Sequence, residues 1–130
     1  MLEDLSMLKI ILTIFYYLIL SKISASLVIT EIMDDPSLVS DINGECFEIH
    51  NNYSSNIDPQ NYSFTDDGDD SFTITSSLII EPMSNLVFGC NDNKSSNGGN
   101  NPDYMFSKSD FKLDNGSDEI YILLYITSIS

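Results

Sequence analysis

Residues 27–51 read LVITEIMDDPSLVSDINGECFEIHN, and this stretch decides the fold of the chain. Its first part, Leu27–Met33, is mostly apolar and rich in β-branched residues, which favours a partly buried strand over a helix. Pro36 and the aspartates before it end this strand, because proline donates no hydrogen bond to a sheet. The pair Asn43-Gly44 then predicts a turn into a second strand over Glu45–His50.

Short apolar runs continue through the rest of the chain and are separated by turns rich in Asn, Asp, Ser and Gly. Further strands are predicted over Tyr62–Thr65, Ser71–Thr75, Asn85–Cys90 and Glu119–Ile126. Leu78–Ile80 is either another short strand or a continuation of Ser71–Thr75, and Tyr104–Phe106 and Phe111–Leu113 are short apolar segments beside a polar loop. After Ser26 we expect no helix longer than two turns. Many short strands with turn residues between them indicate an all-β fold, either an antiparallel sandwich or a barrel.

The first 26 residues are predicted to be a targeting segment. Leu8–Leu20 is apolar apart from Lys9, and its length is that of a signal-peptide core, short of the roughly 20 residues that span a bilayer. Ser21–Ser26 supplies the small side chains that a signal peptidase requires. We therefore expect a hydrophobic signal-peptide helix over residues 1–26. An uncleaved membrane anchor and a buried core helix are the two alternatives.

Composition narrows the possible functions. The 130 residues leave room for one domain, and a hydrophobic share of 42% suffices for a core. There are 20 acidic residues against 5 basic ones, for a formal net charge of −15. Such a surface repels phosphate backbones, so we do not expect nucleic-acid binding. It suits solubility in an extracellular medium and attraction of cations.

The chain has two cysteines, Cys46 and Cys90. In an exported protein, two cysteines on two strands favour a disulfide, and two buried free thiols are the alternative. A bridge would close a loop of about 45 residues and stabilise the domain by roughly 3–4 kcal/mol if its effect is on the entropy of the unfolded chain.

Acidic side chains concentrate in one predicted turn, where Asp66, Asp67, Asp69 and Asp70 surround Gly68. Calcium takes oxygen ligands from closely spaced carboxylates, which makes this turn a candidate calcium site. The spacing does not match an EF-hand loop. A solvated hairpin turn, in which Asp and Gly satisfy the backbone geometry, is the alternative.

Other residues are candidates for modification rather than for chemistry. Sequons of the form N-x-S occur in predicted loops at Asn52, Asn61, Asn93 and Asn115. His50 is the one histidine, and no Ser-His-Asp arrangement can be built around it from the sequence. We expect no catalytic residues, since a general base needs positioned partners.

The order of these pieces resembles that of the lamin tail domain family, an immunoglobulin-like antiparallel β-sandwich. The resemblance rests on Val28–Pro36, Gly44–Asn51, Ile57–Asp66, Asn85–Phe88 and Phe111–Leu124. Two features depart from the family pattern. Cys46 stands where a tryptophan is usual, and the family has one more strand after Glu119–Ile126. We therefore expect residues 27–130 to form the sandwich domain without its last strand, which leaves one edge unpaired. The alternative is that the final residues of the chain take the place of that strand.

The resemblance implies a non-catalytic binding or structural module. Its partner would be another protein, a cell surface or a neighbouring domain of a longer parent protein, with membrane contact only through an uncleaved N-terminal segment. Together with the leader, this predicts a secreted or cell-surface location and no cofactor other than calcium. The alternatives are a calcium-dependent extracellular module and a fragment of an exported hydrolase or nuclease.

Overall fold

The computed structural model of the chain describes residues 7–13, 27–116 and 119–124. Residues 7–13 are helical. Most of the predicted signal-peptide helix over residues 1–26 lies outside the described residues, so that assignment stays a prediction. Within the described part of the chain, no helix has the length and apolar character needed to cross a membrane.

Seven strands are present among the described residues, and they form two sheets. The strands are β1 (Leu27–Met33), β2 (Cys46–Asn51), β3 (Tyr62–Thr65), β4 (Ser71–Thr73), β5 (Asn85–Gly89), β6 (Tyr104–Met105) and β7 (Tyr121–Leu124). The larger sheet has the order β1-β2-β5-β6 and the smaller β4-β3-β7. All pairs are antiparallel except β5 with β6. The predicted all-β, immunoglobulin-like sandwich is thereby confirmed.

The core between the sheets is built from phenylalanine rings. Phe47 of β2 stacks on Phe88 of β5, with ring centroids 4.9 Å apart, and meets Phe64 of the smaller sheet at 5.5 Å. Phe72, Phe106 and Phe111 pack around this group. Offset and tilted ring pairs at these distances add to the free energy gained by burying the rings. Phe47 and Phe64 thus join the two sheets.

A buried carboxylate fixes the segment that follows β6. Glu45, which directly precedes β2, is only 2% exposed. Its Oε2 accepts a hydrogen bond from the Leu113 N–H at 2.9 Å and forms an ion pair with the ammonium group of Lys108. A buried charge is tolerated only when it is paired in this way. The ion pair therefore holds residues 107–113 against the larger sheet.

Some sequence-based boundaries were wrong. Asn43 and Gly44 do not form a simple turn but end a one-turn helix, Asp41–Gly44. The apolar segment Phe111–Leu113 forms no strand, although Phe111 and Leu113 are buried and Lys112 is exposed as in a strand. Leu78–Ile80 makes only an isolated bridge, between Ile57 and Ile80. Alternation of apolar residues reports which side chains are buried, and it does not reveal whether the backbone finds a neighbouring strand.

One edge of the smaller sheet is open among the described residues, because β7 pairs there with β3 alone. Leu123 and Leu124 of β7 are exposed. Residues 125–130 lie outside the described residues, so the expected absence of a final strand stays a prediction.

We predict that Phe47→Ala lowers the free energy of unfolding by about 3–5 kcal/mol, because it leaves a cavity where the two sheets meet. Chemical denaturation measures this change. Tyr53→Ala, at an exposed loop position, is the control and should shift the free energy by less than about 0.5 kcal/mol. Equal losses in the two variants would contradict the central role of Phe47.

We also predict that Lys108→Met destabilises the domain by roughly 3 kcal/mol, because it strands the buried Glu45 carboxylate without a cation. Adding Glu45→Gln removes the charge and should restore much of the loss. Lys112→Met is the control, since its contact with Asp70 is long, at 3.7 Å, and exposed. If Lys108→Met and Lys112→Met behaved alike in chemical denaturation, the buried ion pair would have no such role.

Candidate functional site

A groove lies on the outer face of the larger sheet, on the side away from the phenylalanine core. Its cavity volume is about 360 Å³, within the range of about 300–1,000 Å³ that is usual for ligand pockets. The floor consists of outward-facing residues of β1, β2 and β5, and the walls are the loops at residues 36–39 and 97–100. Its lining includes the side chains of Glu31, Met33, Leu38, Val39, Cys46, Glu48, Val87 and Asn100.

Strand register arranges the floor of the groove in rows. Glu31 of β1 lies opposite Glu48 of β2, and Glu48 lies opposite Val87 of β5. In the next row, Met33 lies opposite Cys46. Residues directly opposite each other in an antiparallel pair point to the same face, with Cβ atoms about 4.5–5.5 Å apart. The two carboxylates are therefore neighbours on the floor.

A β-bulge sets which residues of β1 face the groove. The pairing with β2 shifts by one residue between Ile29 and Glu31, so Thr30 is the extra residue. Before the bulge, Ile29 faces the core with Ile49. After it, Ile32 lies opposite Phe47, on the core side of the sheet at its edge, where it is 37% exposed. Without the bulge, the side chain of Glu31 would point into the core, because a slip of one residue reverses the faces.

The first wall is held close to the sheet at a glycine. A Cβ atom on Gly44 would lie 2.3 Å from Cγ2 of Val39 and 2.8 Å from Cγ of Pro36, so any side chain there would displace the loop. At the start of the loop, Asp34 Oδ2 accepts a hydrogen bond from the Gly116 N–H at 3.1 Å. This bond lowers the pKa of Asp34 below its usual value.

The second wall is held by a buried asparagine. Asn97 donates from Nδ2 to the carbonyl oxygens of Asn91 at 2.9 Å and Asn100 at 3.0 Å, and its Oδ1 accepts from the Gly99 N–H at 2.9 Å. Its side chain is thereby fully bonded, as a buried amide must be. Both walls are thus held in place by contacts within the chain.

The groove is acidic on its floor and apolar at its rim. Thr30 donates its hydroxyl to Oε1 of Glu48 at 2.6 Å, while Glu31 has no hydrogen bond or ion pair to the described residues. No lysine or histidine lines the groove in the described part of the chain. Leu38, at the rim, is 86% exposed, and Met33, at the edge of the floor, is 37% exposed. Exposed apolar side chains around a concave surface are typical of interaction sites.

The disulfide predicted between Cys46 and Cys90 is not formed, and both residues are free thiols. Cys46 pairs with Gly89 across the strands, so Cys90, one residue further, faces the opposite side of the sheet. The Cys46 Sγ accepts from Nδ2 of Asn100 at 2.8 Å in the groove, whereas the Cys90 Sγ lies 3.6 Å from the Ile42 carbonyl oxygen. Burial raises the pKa of both thiols.

The four aspartates of the predicted calcium site are not brought together. Asp66 Oδ1 accepts from the Gly68 N–H at 2.8 Å, Asp67 Oδ1 from the Tyr121 hydroxyl at 3.1 Å, and Asp70 lies 3.7 Å from Lys112 Nζ. Asp69 is exposed. Across the described residues, no three His, Cys, Asp or Glu side chains are grouped to hold a metal. The turn connects the antiparallel strands β3 and β4, and calcium binding by these aspartates stays a prediction.

The remaining predicted sites lie on the surface. The sequon asparagines are all exposed, and they are Asn52, Asn61, Asn93 and Asn115; their glycosylation stays a prediction. His50 faces outward beside the groove floor, with its Nδ1 2.5 Å from Oδ1 of Asn85. Among the described residues, no serine and aspartate are arranged with His50 as a catalytic triad. Its ring instead contacts Asn85 of the neighbouring strand β5.

Sequence analysis missed the groove and its two glutamates. A signal was present, because Glu31 and Glu48 each interrupt an apolar strand with a charge. That signal did not reveal that the two face each other, because their pairing depends on the bulge at Thr30. The two walls come from loops that are far apart in the sequence. No local sequence pattern therefore predicts that they border the same groove.

Comparison with known proteins gives one match. A sequence model described as Lamin Tail Domain matches residues 21–127, which covers every strand of both sheets. No curated protein and no solved structure matches the chain. The family match agrees with the sandwich architecture seen in the coordinates.

We predict that the denatured, unreduced protein contains two reactive thiols per chain, because Cys46 and Cys90 face opposite sides of the sheet. Alkylation followed by mass spectrometry counts them. In the native protein, iodoacetamide should react slowly near neutral pH and faster as the pH rises, since burial raises both pKa values and only the thiolate reacts. Alkylation that required a reductant first would contradict the assignment of free thiols.

Proposed function

Because this chain belongs to the lamin tail domain family, we propose that it is an exported interaction module that docks on a protein partner through the groove of its larger sheet. The family consists of non-catalytic, immunoglobulin-like domains, and the chain is accordingly a binding or structural module. We propose three further points: that the partner is a protein, that it binds in the groove, and that the domain is extracellular.

The exposed apolar rim of the groove carries this proposal. Leu38 is 86% exposed although it stands above a concave surface that contains Met33 and Val39. A leucine in water contributes nothing to the stability of the free domain, whereas its burial in a complex is worth about 1.5–3 kcal/mol. Two fixed walls also lower the entropy that is lost when a partner binds.

The N-terminal segment supports export. Leu8–Leu20 has the length and composition of a signal-peptide core, and residues 7–13 are helical, as such a core is. The net charge of −15 keeps copies of the domain apart in an extracellular medium. The partner is a secreted or cell-surface protein, or a neighbouring domain in a longer parent protein, and the groove serves either.

The calcium-dependent alternative has weaker support. Asp66, Asp67 and Asp70 already have separate partners within the chain, and calcium usually takes six to eight oxygen ligands. The alternative of a hydrolase or nuclease fragment has no nucleophile and base placed together by the described residues to support it.

We predict that random linear peptides displayed on phage can be selected on the chain, purified after expression with its own leader. The selected peptides should bind the Leu38→Asp variant at least about tenfold more weakly, because a charge at the rim opposes apolar contact. Fluorescence anisotropy of synthetic copies measures the affinity.

Ile79→Asp is the matched control for this experiment, because Ile79 is also an exposed aliphatic residue, at 52%, and does not line the groove. Its affinity for the selected peptides should stay at the wild-type value. A selection that yields no binder, or binders that Leu38→Asp leaves unaffected, would overturn the groove as the docking site.

A further inference from the structure

The floor of the groove holds two negative charges that face each other, and no basic side chain of residues 7–13, 27–116 and 119–124 lines the groove. Glu31 and Glu48 are directly opposite in the pairing of β1 with β2, and like charges in this position destabilise a sheet. Two of the chain's four described lysines pair elsewhere, Lys108 with Glu45 and Lys112 with Asp70. The other two, at positions 9 and 94, do not line the groove. The free domain therefore carries an unfavourable interaction that a bound cation would relieve.

Two local structural features orient the side chains of Glu31 and Glu48. The bulge at Thr30 turns Glu31 outward, and bulges commonly re-aim a side chain next to a functional site. The hydroxyl of the same Thr30 donates to Oε1 of Glu48 at 2.6 Å, which orients that carboxylate and leaves its Oε2 without a hydrogen bond among the described residues. One residue thus places both glutamates.

The apolar side chains that line the groove match the stem of a basic side chain. Arginine and lysine carry their charge at the end of an apolar stem, which needs apolar surface beside it. On the floor, Val87 lies opposite Glu48 and Met33 lies in the row next to Glu31, while Val39 lines the first wall and Leu38 extends the apolar surface at the rim. A small inorganic cation would gain no binding energy from contact with these apolar side chains. The domain's net charge of −15 also draws a positively charged partner toward the surface.

We propose that the groove binds a peptide segment of the partner protein in which an arginine or lysine lies between Glu31 and Glu48, and an apolar neighbour of that residue contacts Leu38. This inference rests on the proposed function and narrows it to one class of partner, a basic segment with apolar flanks. A carboxylate pair is suited to the forked guanidinium group, which donates two parallel hydrogen bonds.

The test uses a fluorescein-labelled peptide of sequence GLRLSG and a second peptide with citrulline, a neutral analogue of the same shape, in place of arginine. The arginine peptide should bind the wild-type chain at least about tenfold more tightly than the citrulline peptide, because a charge-assisted hydrogen bond is lost. Higher salt should weaken the binding of the arginine peptide. Glu31→Gln and Glu48→Gln should each weaken it by a similar factor.

Two controls separate binding from folding. Glu81→Gln, at an exposed acidic position outside the groove, should bind like the wild-type chain. Glu31→Gln should unfold at a midpoint no lower than the wild type, because it removes repulsion from Glu48. A variant that loses peptide affinity while it keeps or gains stability has lost a binding contact and not its fold.

Three outcomes would overturn the inference. Equal binding of the arginine and citrulline peptides would leave the groove as a docking site without a cation subsite. Displacement of the peptide by millimolar calcium, but not by magnesium at the same ionic strength, would assign the carboxylates to a metal ion. If neither peptide binds while the phage selection succeeds, the inference falls and the proposed function stands; if both fail, both fall.

Discussion

The two-sided character of β2 is the constraint on which the rest of the structure depends. A strand points successive side chains to opposite faces, and β2 uses each face for a different purpose. Toward the core it directs Phe47 and Ile49, which are almost fully buried. Toward the groove it directs Cys46 and Glu48. Because β2 is hydrogen-bonded to β1 on one side and β5 on the other, its two faces are fixed for both neighbours.

The groove shows that a stable sandwich can contain a locally unfavourable interaction, here between two glutamates of like charge. The core gains its stability from ring packing around Phe47 and from the buried pair of Glu45 and Lys108. Against that background, the repulsion between Glu31 and Glu48 is small, and the fold can tolerate it. Sequences that violate a local rule without compensation often do so at functional positions.

Much of the fold follows from local pattern. The β-branched run of Leu27–Met33 and the alternation of Glu45–His50 predicted the two strands correctly, because these residues fit a pleated, half-buried surface. The apolar segment Phe111–Leu113 shows the same alternation of buried and exposed residues, yet it forms no strand. The difference between the two cases is a hydrogen-bonding partner for the backbone, and only the assembled sandwich supplies or withholds it.

The sequence by itself determined the fold class, the succession of strands along the chain, the acidity of the surface and the family. Those properties reside in composition and in short-range periodicity, which are fixed once the residues are known. Only the tertiary structure decided that Cys46 and Cys90 face opposite sides of one sheet and that Glu31 meets Glu48. Both results depend on the register between strands, and a single bulged residue changes that register. Register arises from packing across the whole domain, so no window of the sequence contains it.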